Sequence, residues 1–152
     1  MQSKINGAML RKMIIAGASL LEQNKKMVDA LNVFPVPDGD TGTNMFLTIK
    51  SATTEVNNCI NNSLDAICEA YAKGALRGAR GNSGVITSQI IKGLTSVLRT
   101  CGEDISTKQF AKALGPSFFT SIGILATTKF WFSANACPPI LVKFGGRVVL
   151  CS

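Results

Sequence analysis

The sequence predicts an all-α protein, and three observations lead to that prediction. Apolar residues recur at spacings of three and four up to Leu114, which indicates helices with one buried face. Short polar, glycine or proline segments separate these stretches, and no convincing strand alternation occurs among them. The composition, with 46% apolar and 16% charged residues, is typical of a folded protein. We therefore expect a bundle of six helices joined by short connections.

The first three helices are separated by a capping residue and by prolines. The first helix is predicted to begin at Asn6. Asn24 is the expected N-cap of a short second helix, whose lysines and Asp29 face solvent. The prolines that follow prevent this helix from continuing, because proline lacks the amide hydrogen and clashes with the preceding turn. The third helix is predicted from about Thr43 to Val56.

Capping patterns open the other three helices. Residues 61–63 form a cap cluster for the fourth helix. The glycine-rich connection 78–84 leads into the fifth helix, with Ser83 as its expected N-cap. Ser106 and Gln109 form a capping box for the sixth helix, in which each side chain bonds the other residue's backbone amide.

The character of the chain changes towards its C-terminus. Residues 105–152 contain five basic residues, no acidic residue and six of the eight phenylalanines. Residues 140–142 and 147–150 are predicted to be strands. We expect a helical domain at residues 1–115 and a divergent aromatic and basic tail at residues 116–152.

Composition also argues against several classes of function. The net charge is +7, but residues 1–104 account for only +2 of it and the other five basic residues are scattered over residues 105–152, which argues against nucleic-acid binding. Five cysteines without a C-x-x-C pair, and no signal peptide, predict a cytoplasmic protein with reduced thiols. No apolar run reaches the roughly 18 residues of a membrane span. The absence of histidine excludes imidazole-based catalysis.

Residues 32–45, read as NVFPVPDGDTGTNM, contain the strongest candidate for a ligand site. Asp38 and Asp40 flank Gly39, so their carboxylates can converge on one hard cation. Magnesium prefers one or two carboxylates together with water and phosphate oxygens, and two threonine hydroxyls lie beside this pair. A solvated Asp-Gly turn is the alternative that the residues leave open.

A second segment, residues 78–84 read as GARGNSG, also leads into a helix N-terminus. Two such loops predict one site for a polyphosphate, because the free amides and the dipole of a helix N-terminus attract anions. Arg80 could neutralise a transferring phosphate or remain solvated, and the hydroxyl of Ser83 could act only as a cap. Neither loop is a Walker A sequence, and the aspartate loop lacks the glycine and glutamate of an EF-hand.

Together the two motifs resemble one particular family. NVFPVPDGDTGTNM, followed later by GARGNSGVITSQI, is similar to the ATP-binding (DhaL-like) domain shared by dihydroxyacetone kinases and bacterial fatty acid kinase. The similarity is closest to the ATP-binding subunit of fatty acid kinase. It includes the opening INGAMLRKMIIAGA and covers roughly residues 4–115.

The resemblance implies a barrel of antiparallel amphipathic helices that holds ATP at one end. Asp38 and Asp40 would ligate magnesium, and Asn32 stands where dihydroxyacetone kinases carry a third aspartate. Both loops would supply nucleotide contacts, from Thr41, Gly42, Thr43, Asn44, Asn82 and Ser83.

The activity implied is phosphoryl transfer from ATP to a fatty acid, giving an acyl phosphate, or to dihydroxyacetone, as in glycerone kinases. Asp38, Asp40 and Arg80 would serve catalysis by positioning and charge neutralisation. A separate fatty-acid-binding protein would present the acceptor.

The tail does not resemble the family's continuation, so we expect an incomplete barrel in a truncated chain, with a frameshift as one origin of the tail. The alternative function is a catalytically inactive helical module that binds a partner protein or forms a homodimer. A weaker third alternative is a protein that binds membrane surfaces through its tail.

Overall fold

The structure is a computed structural model of the chain and describes residues 4–33, 37–114, 141–144 and 147–150. The described elements, in chain order, are β1 (Lys4–Ile5), α1 (Gly7–Ala30), α2 (Thr41–Asn58), α3 (Leu64–Arg77), α4 (Gly81–Arg99), β2 (Ile105–Ser106), α5 (107–114), β3 (Leu141–Phe144) and β4 (Arg147–Leu150). The fold is all-α as predicted, with two short antiparallel strand pairs in addition to the helices. The chain divides into two compact units, Met1–Ile122 and Gly123–Ser152.

The described residues form five helices rather than the predicted six. The first two predicted helices are one continuous helix, α1, of 24 residues. Asn24 does not cap a new helix, because its Nδ2 donates to the carbonyl oxygen of Leu20 within α1, across 2.8 Å. The residues around Asn24 include Leu, Glu, Gln and Lys, which are good helix formers, so nothing local ends the helix there.

Two predicted caps are confirmed. The Ser63 hydroxyl accepts from the Ala66 amide across 3.2 Å and opens α3. At the start of α5, the Ser106 amide donates to Oε1 of Gln109 across 2.9 Å, and the Gln109 amide donates to the Ser106 hydroxyl across 3.3 Å. Each cap satisfies backbone donors that lack partners inside the helix.

The short strand pair β1–β2 was missed by the sequence analysis. It pairs Lys4 with Ser106 and Ile5 with Ile105, antiparallel, and so joins the start of α1 to the segment after α4. Two residues per strand are too few to show alternation. The strands β3 and β4 confirm the strand prediction for the tail. The rest of the tail, with most of its aromatic residues, lies outside the described residues, as do residues 34–36.

The main hydrophobic core combines apolar side chains from all five helices and from the β1–β2 pair. Its buried members are Ile5, Leu10, Ile14, Val56, Leu64, Ile67, Cys68, Leu98, Ile105 and Ala113. Removing this apolar surface from water is the main stabilising contribution to the bundle. In the part of the chain that the structure describes, no helix has both the length and the apolar character needed to cross a membrane.

The α2–α3 contact is especially close. A Cβ atom built on Gly74 would lie 2.6 Å from the Cα atom of Ala52, a backbone atom that cannot move aside without shifting its helix. The two residues are buried against each other at the centre of this contact. Glycine at position 74 is therefore required by packing.

We predict that Gly74→Ala destabilises the protein by about 1–3 kcal/mol, the usual cost of overpacking a tight interior. The matched control is Gly17→Ala in α1, where an added Cβ would meet no atom within 4 Å. That variant should gain about 0.5–1 kcal/mol from the higher helix propensity of alanine. Chemical denaturation of the two variants measures the difference. Equal effects at both positions would contradict the described α2–α3 packing.

We also predict that Cys68 resists alkylation in the folded protein. Its side chain is buried in the core, and this burial raises the pKa of the thiol to about 12, so almost no thiolate exists at pH 8. Iodoacetamide followed by mass spectrometry should leave Cys68 unmodified until denaturant is added, while the half-buried Cys101 reacts earlier. Rapid labelling of Cys68 without denaturant would show that this core does not form.

Candidate functional site

The connections that precede α2 and α4 lie against each other. The Ser83 hydroxyl donates to the carbonyl oxygen of Thr41 across 3.2 Å. The backbone N–H of Arg80 donates to Oγ1 of Thr48 across 3.3 Å. The two loops singled out in the sequence are therefore brought together, and α2 and α4 begin in the same region.

Glycines make this close approach possible. Three of them face successive polar residues of α2, and a Cβ atom at any of them would collide: Gly78 with Ser51, Gly81 with Asn44 and Gly84 with Thr48. Gly81 also has a φ of +58°, in the left-handed region that favours glycine. Close packing on α2, by the end of α3 at Gly78 and by the start of α4 at Gly81 and Gly84, thus explains the glycine-rich character of residues 78–84.

The start of α4 differs from the sequence prediction. The helix begins at Gly81 with Arg80 in the cap position, so the prediction that Ser83 is the N-cap is wrong. Ser83 lies in the first turn, and its hydroxyl bonds across to α2 instead. Asn82 and Arg80 are exposed, and their side chains make no hydrogen bond or ion pair with any residue that the structure describes. Both are accessible to a ligand.

Asp38 and Asp40 are exposed at the start of α2, on either side of Gly39, whose φ is +62°. This helix begins at Thr41, two residues before the predicted start, and Asp40 takes the cap position. The Asp40 carboxylate makes no capping bond, while its backbone carbonyl accepts from the Asn44 amide across 2.8 Å. The carboxylate therefore keeps its lone pairs free for a cation.

The donor set at this loop fits magnesium. Among the described residues, no three acidic, histidine or cysteine side chains lie together as a metal-holding group. Magnesium keeps several waters and uses one or two carboxylates with phosphate oxygens, so the Asp38 and Asp40 pair suits it. Asn32 donates its Nδ2 to Oδ1 of Asp38 and so orients a candidate ligand. Direct ligation by Asn32 stays a prediction.

Asp29 is a site residue that the sequence analysis missed. It was expected to face solvent, but its carboxylate accepts from the Thr43 amide across 2.9 Å and from the Thr43 hydroxyl across 2.8 Å. These two bonds lower the pKa of Asp29 below its ordinary value of 3.8. The contribution of these bonds to the free energy of unfolding is therefore fully present above pH 3.8. It is lost as the pH falls through the lower pKa that Asp29 has in the folded protein. The sequence could not predict this contact, because Asp29 and Thr43 are 14 residues apart and lie on opposite sides of a loop.

The hydrogen bonds to Asp29 affect how the first turn of α2 could bind a phosphate. The amide and the hydroxyl hydrogen of Thr43 are directed at Asp29, so a phosphate would have to compete with that carboxylate for them. Gly42 is buried against the backbone of α1 at Lys25. The Asn44 side chain instead lies beside Gly81, between the two loops. The phosphate contacts expected of residues 41–44 stay predictions.

The chain is similar in sequence to longer proteins of staphylococci. A protein of Staphylococcus epidermidis, itself uncharacterised, is 51% identical over 114 residues, which are 74% of this chain and 20% of that protein. Uncharacterised proteins of Staphylococcus haemolyticus and Staphylococcus aureus are 50% and 48% identical over 113 residues. The chain thus spans about a fifth of the length of these curated relatives.

The family comparison includes both loops of the site. The DAK2 domain matches residues 35–125, which is more than half of the chain and contains Asp38, Asp40 and the 78–84 segment. The chain therefore belongs to the DAK2 domain family, a DhaL-like family of kinase-related subunits.

Proposed function

We propose that this chain is the ATP- and magnesium-binding part of a kinase. The observation that carries the proposal is the meeting of two helix N-termini beside two exposed carboxylates, Asp38 and Asp40. This arrangement offers a cation site and an anion site side by side, which is what a magnesium–triphosphate complex requires. Members of the DAK2 family generally bind ADP or ATP, which supports the same ligand.

The residues of this chain would act by positioning and charge neutralisation. Magnesium, when bound, would withdraw charge from the phosphate oxygens. Asp38 and Asp40 would hold it, with Asn32 fixing the orientation of Asp38. Arg80, exposed at the start of α4, can reach out from this end of the bundle to neutralise charge on a transferring phosphate.

The acceptor we propose is a fatty acid carboxylate, with dihydroxyacetone as the other candidate. The support for the fatty acid is the resemblance of both loop motifs to those of the ATP-binding subunit of fatty acid kinase. A fatty-acid-binding partner protein would supply the acceptor, in keeping with a family whose members typically partner with other kinase subunits. The chain itself would contribute nucleotide binding.

A second candidate is a helical module that binds protein without catalysis. It is favoured by large apolar side chains exposed along α1, where Leu20 and Met27 are 63% and 60% exposed. Helix faces of this kind on a folded domain mark interaction surfaces. This candidate predicts self-association or a co-purifying protein and no response to nucleotide.

We predict that the purified chain binds ATP in a magnesium-dependent manner. Isothermal titration with Mg–ATP should give saturable binding, and removal of magnesium with EDTA should weaken it by at least about tenfold. Asp38→Ala with Asp40→Ala should abolish the magnesium-dependent part, because the phosphates would then lose their shared cation.

The matched control is Asp104→Asn, which removes one carboxylate from an exposed pair with Lys4 after the far end of α4. That variant should bind Mg–ATP as the unaltered chain does. The proposal fails if the unaltered chain shows no binding, or if the Asp38/Asp40 double variant binds as tightly as the control.

A further inference from the structure

One carboxylate joins the last turn of α1 to the first turn of α2. Oδ1 of Asp29 accepts from the amide of Thr43, and Oδ2 accepts from its hydroxyl, so both oxygens are used. Hydrogen bonds to an ionised acceptor are about twice as strong as neutral ones. The connection spanned by this contact contains every residue of the candidate metal site.

The backbone of Asp29 contacts the other end of the same connection. Its carbonyl oxygen accepts from the Asn32 amide across 3.1 Å, just after α1 ends. Asp29 therefore bonds the residue that enters the connection, through its backbone, and the residue that leaves it, through its side chain. Asp29 thus contacts both ends of this connection, at Asn32 and at Thr43, while residues 34–36 between them lie outside the described residues.

Shape complementarity supports the same closure. Gly42, next to Thr43, is packed so tightly on the carbonyl of Lys25 that a Cβ atom there would collide with it. Lys25 lies one turn before Asp29 on α1. The start of α2 is thus held on α1 at two successive turns, by close packing at one and by hydrogen bonds at the other.

We propose that Asp29 is a positioning residue for magnesium–nucleotide binding: it closes the base of the 32–43 connection and so holds Asp38 and Asp40 at the start of α2. This inference rests on the proposed function. We assign Asp29 a positioning rather than a ligating role because both of its carboxylate oxygens are directed at Thr43. Its role is to reduce the number of conformations in which the two metal-binding carboxylates point apart.

The test compares Asp29→Ala with Asp29→Asn in the full chain. Asparagine keeps an acceptor for the Thr43 amide and can donate its Nδ2 to the Thr43 hydroxyl, while alanine keeps neither. Isothermal titration with Mg–ATP should show about tenfold weaker binding for Asp29→Ala and near-normal binding for Asp29→Asn. Binding of ATP without magnesium should change little in either variant.

The control for a purely structural role is Ser63→Ala, which removes a cap at the start of α3. It should lower the melting temperature as Asp29→Ala does but leave the Mg–ATP affinity unchanged. The inference is overturned if Asp29→Ala binds Mg–ATP normally. It is also overturned if Asp29→Asn binds as weakly as Asp29→Ala while its amides of residues 37–44 stay protected from exchange, because the charge of Asp29, and not the position of the loop, would then determine the affinity.

Hydrogen–deuterium exchange separates this inference from the proposed function. If the unaltered chain binds no Mg–ATP, the proposed function fails, but closure of the connection remains measurable. Amides of residues 37–44 should exchange faster in Asp29→Ala than in Ser63→Ala and stay protected in Asp29→Asn. Unchanged exchange in Asp29→Ala would overturn the positioning role whatever the binding result.

Discussion

The close packing of α4 on the first turns of α2 is the constraint on which the site depends. Gly81 and Gly84 of α4 leave room for Asn44 and Thr48 of α2, and Gly78, at the end of α3, leaves room for Ser51. Without this approach the 78–84 segment could not lie beside the aspartate loop. The two motifs would then be separate surface turns without a shared ligand.

Thr48 shows how polar groups are satisfied within that contact. It is fully buried, its hydroxyl donates to the carbonyl of Asn44 across 2.8 Å, and the same oxygen accepts the Arg80 amide. An unpaired polar group at this depth would cost free energy, so the contact is specific as well as tight. The amide bonded to Thr48 belongs to the residue that presents the exposed guanidinium of the site. The buried contact therefore fixes the position of the Arg80 backbone.

Much of the fold could be predicted from the sequence, because helix signals are local. The periodic apolar residues and the caps at Ser63 and Ser106 were read correctly. The missed features depend on partners that residue type alone does not identify. Asn24 has the residue type of a cap, and only the continuing helix shows that it bonds Leu20. The β1–β2 pair joins residues far apart in the chain through strands too short to alternate.

The candidate residues of the site could be named from the sequence, but their contacts could not. Asp38, Asp40 and Arg80 were proposed from residue type and from motif similarity, and their roles stay predictions, whereas Asp29 was assigned to solvent because its partner, Thr43, lies beyond the loop. The glycines of the 78–84 segment indicated a connection without room for side chains, but only the structure shows that these glycines face α2. Tertiary contacts decide both roles.

Paramagnetic NMR tests most directly whether both loops serve one metal–nucleotide site. Manganese would replace magnesium in the presence of ATP and broaden the amide signals of nearby residues in the ¹⁵N-labelled chain. We predict selective broadening of the signals of residues 38–44 and 80–83 together, and no such broadening in the Asp38→Ala/Asp40→Ala chain. Broadening confined to one loop, or distributed over unrelated surface carboxylates, would contradict it.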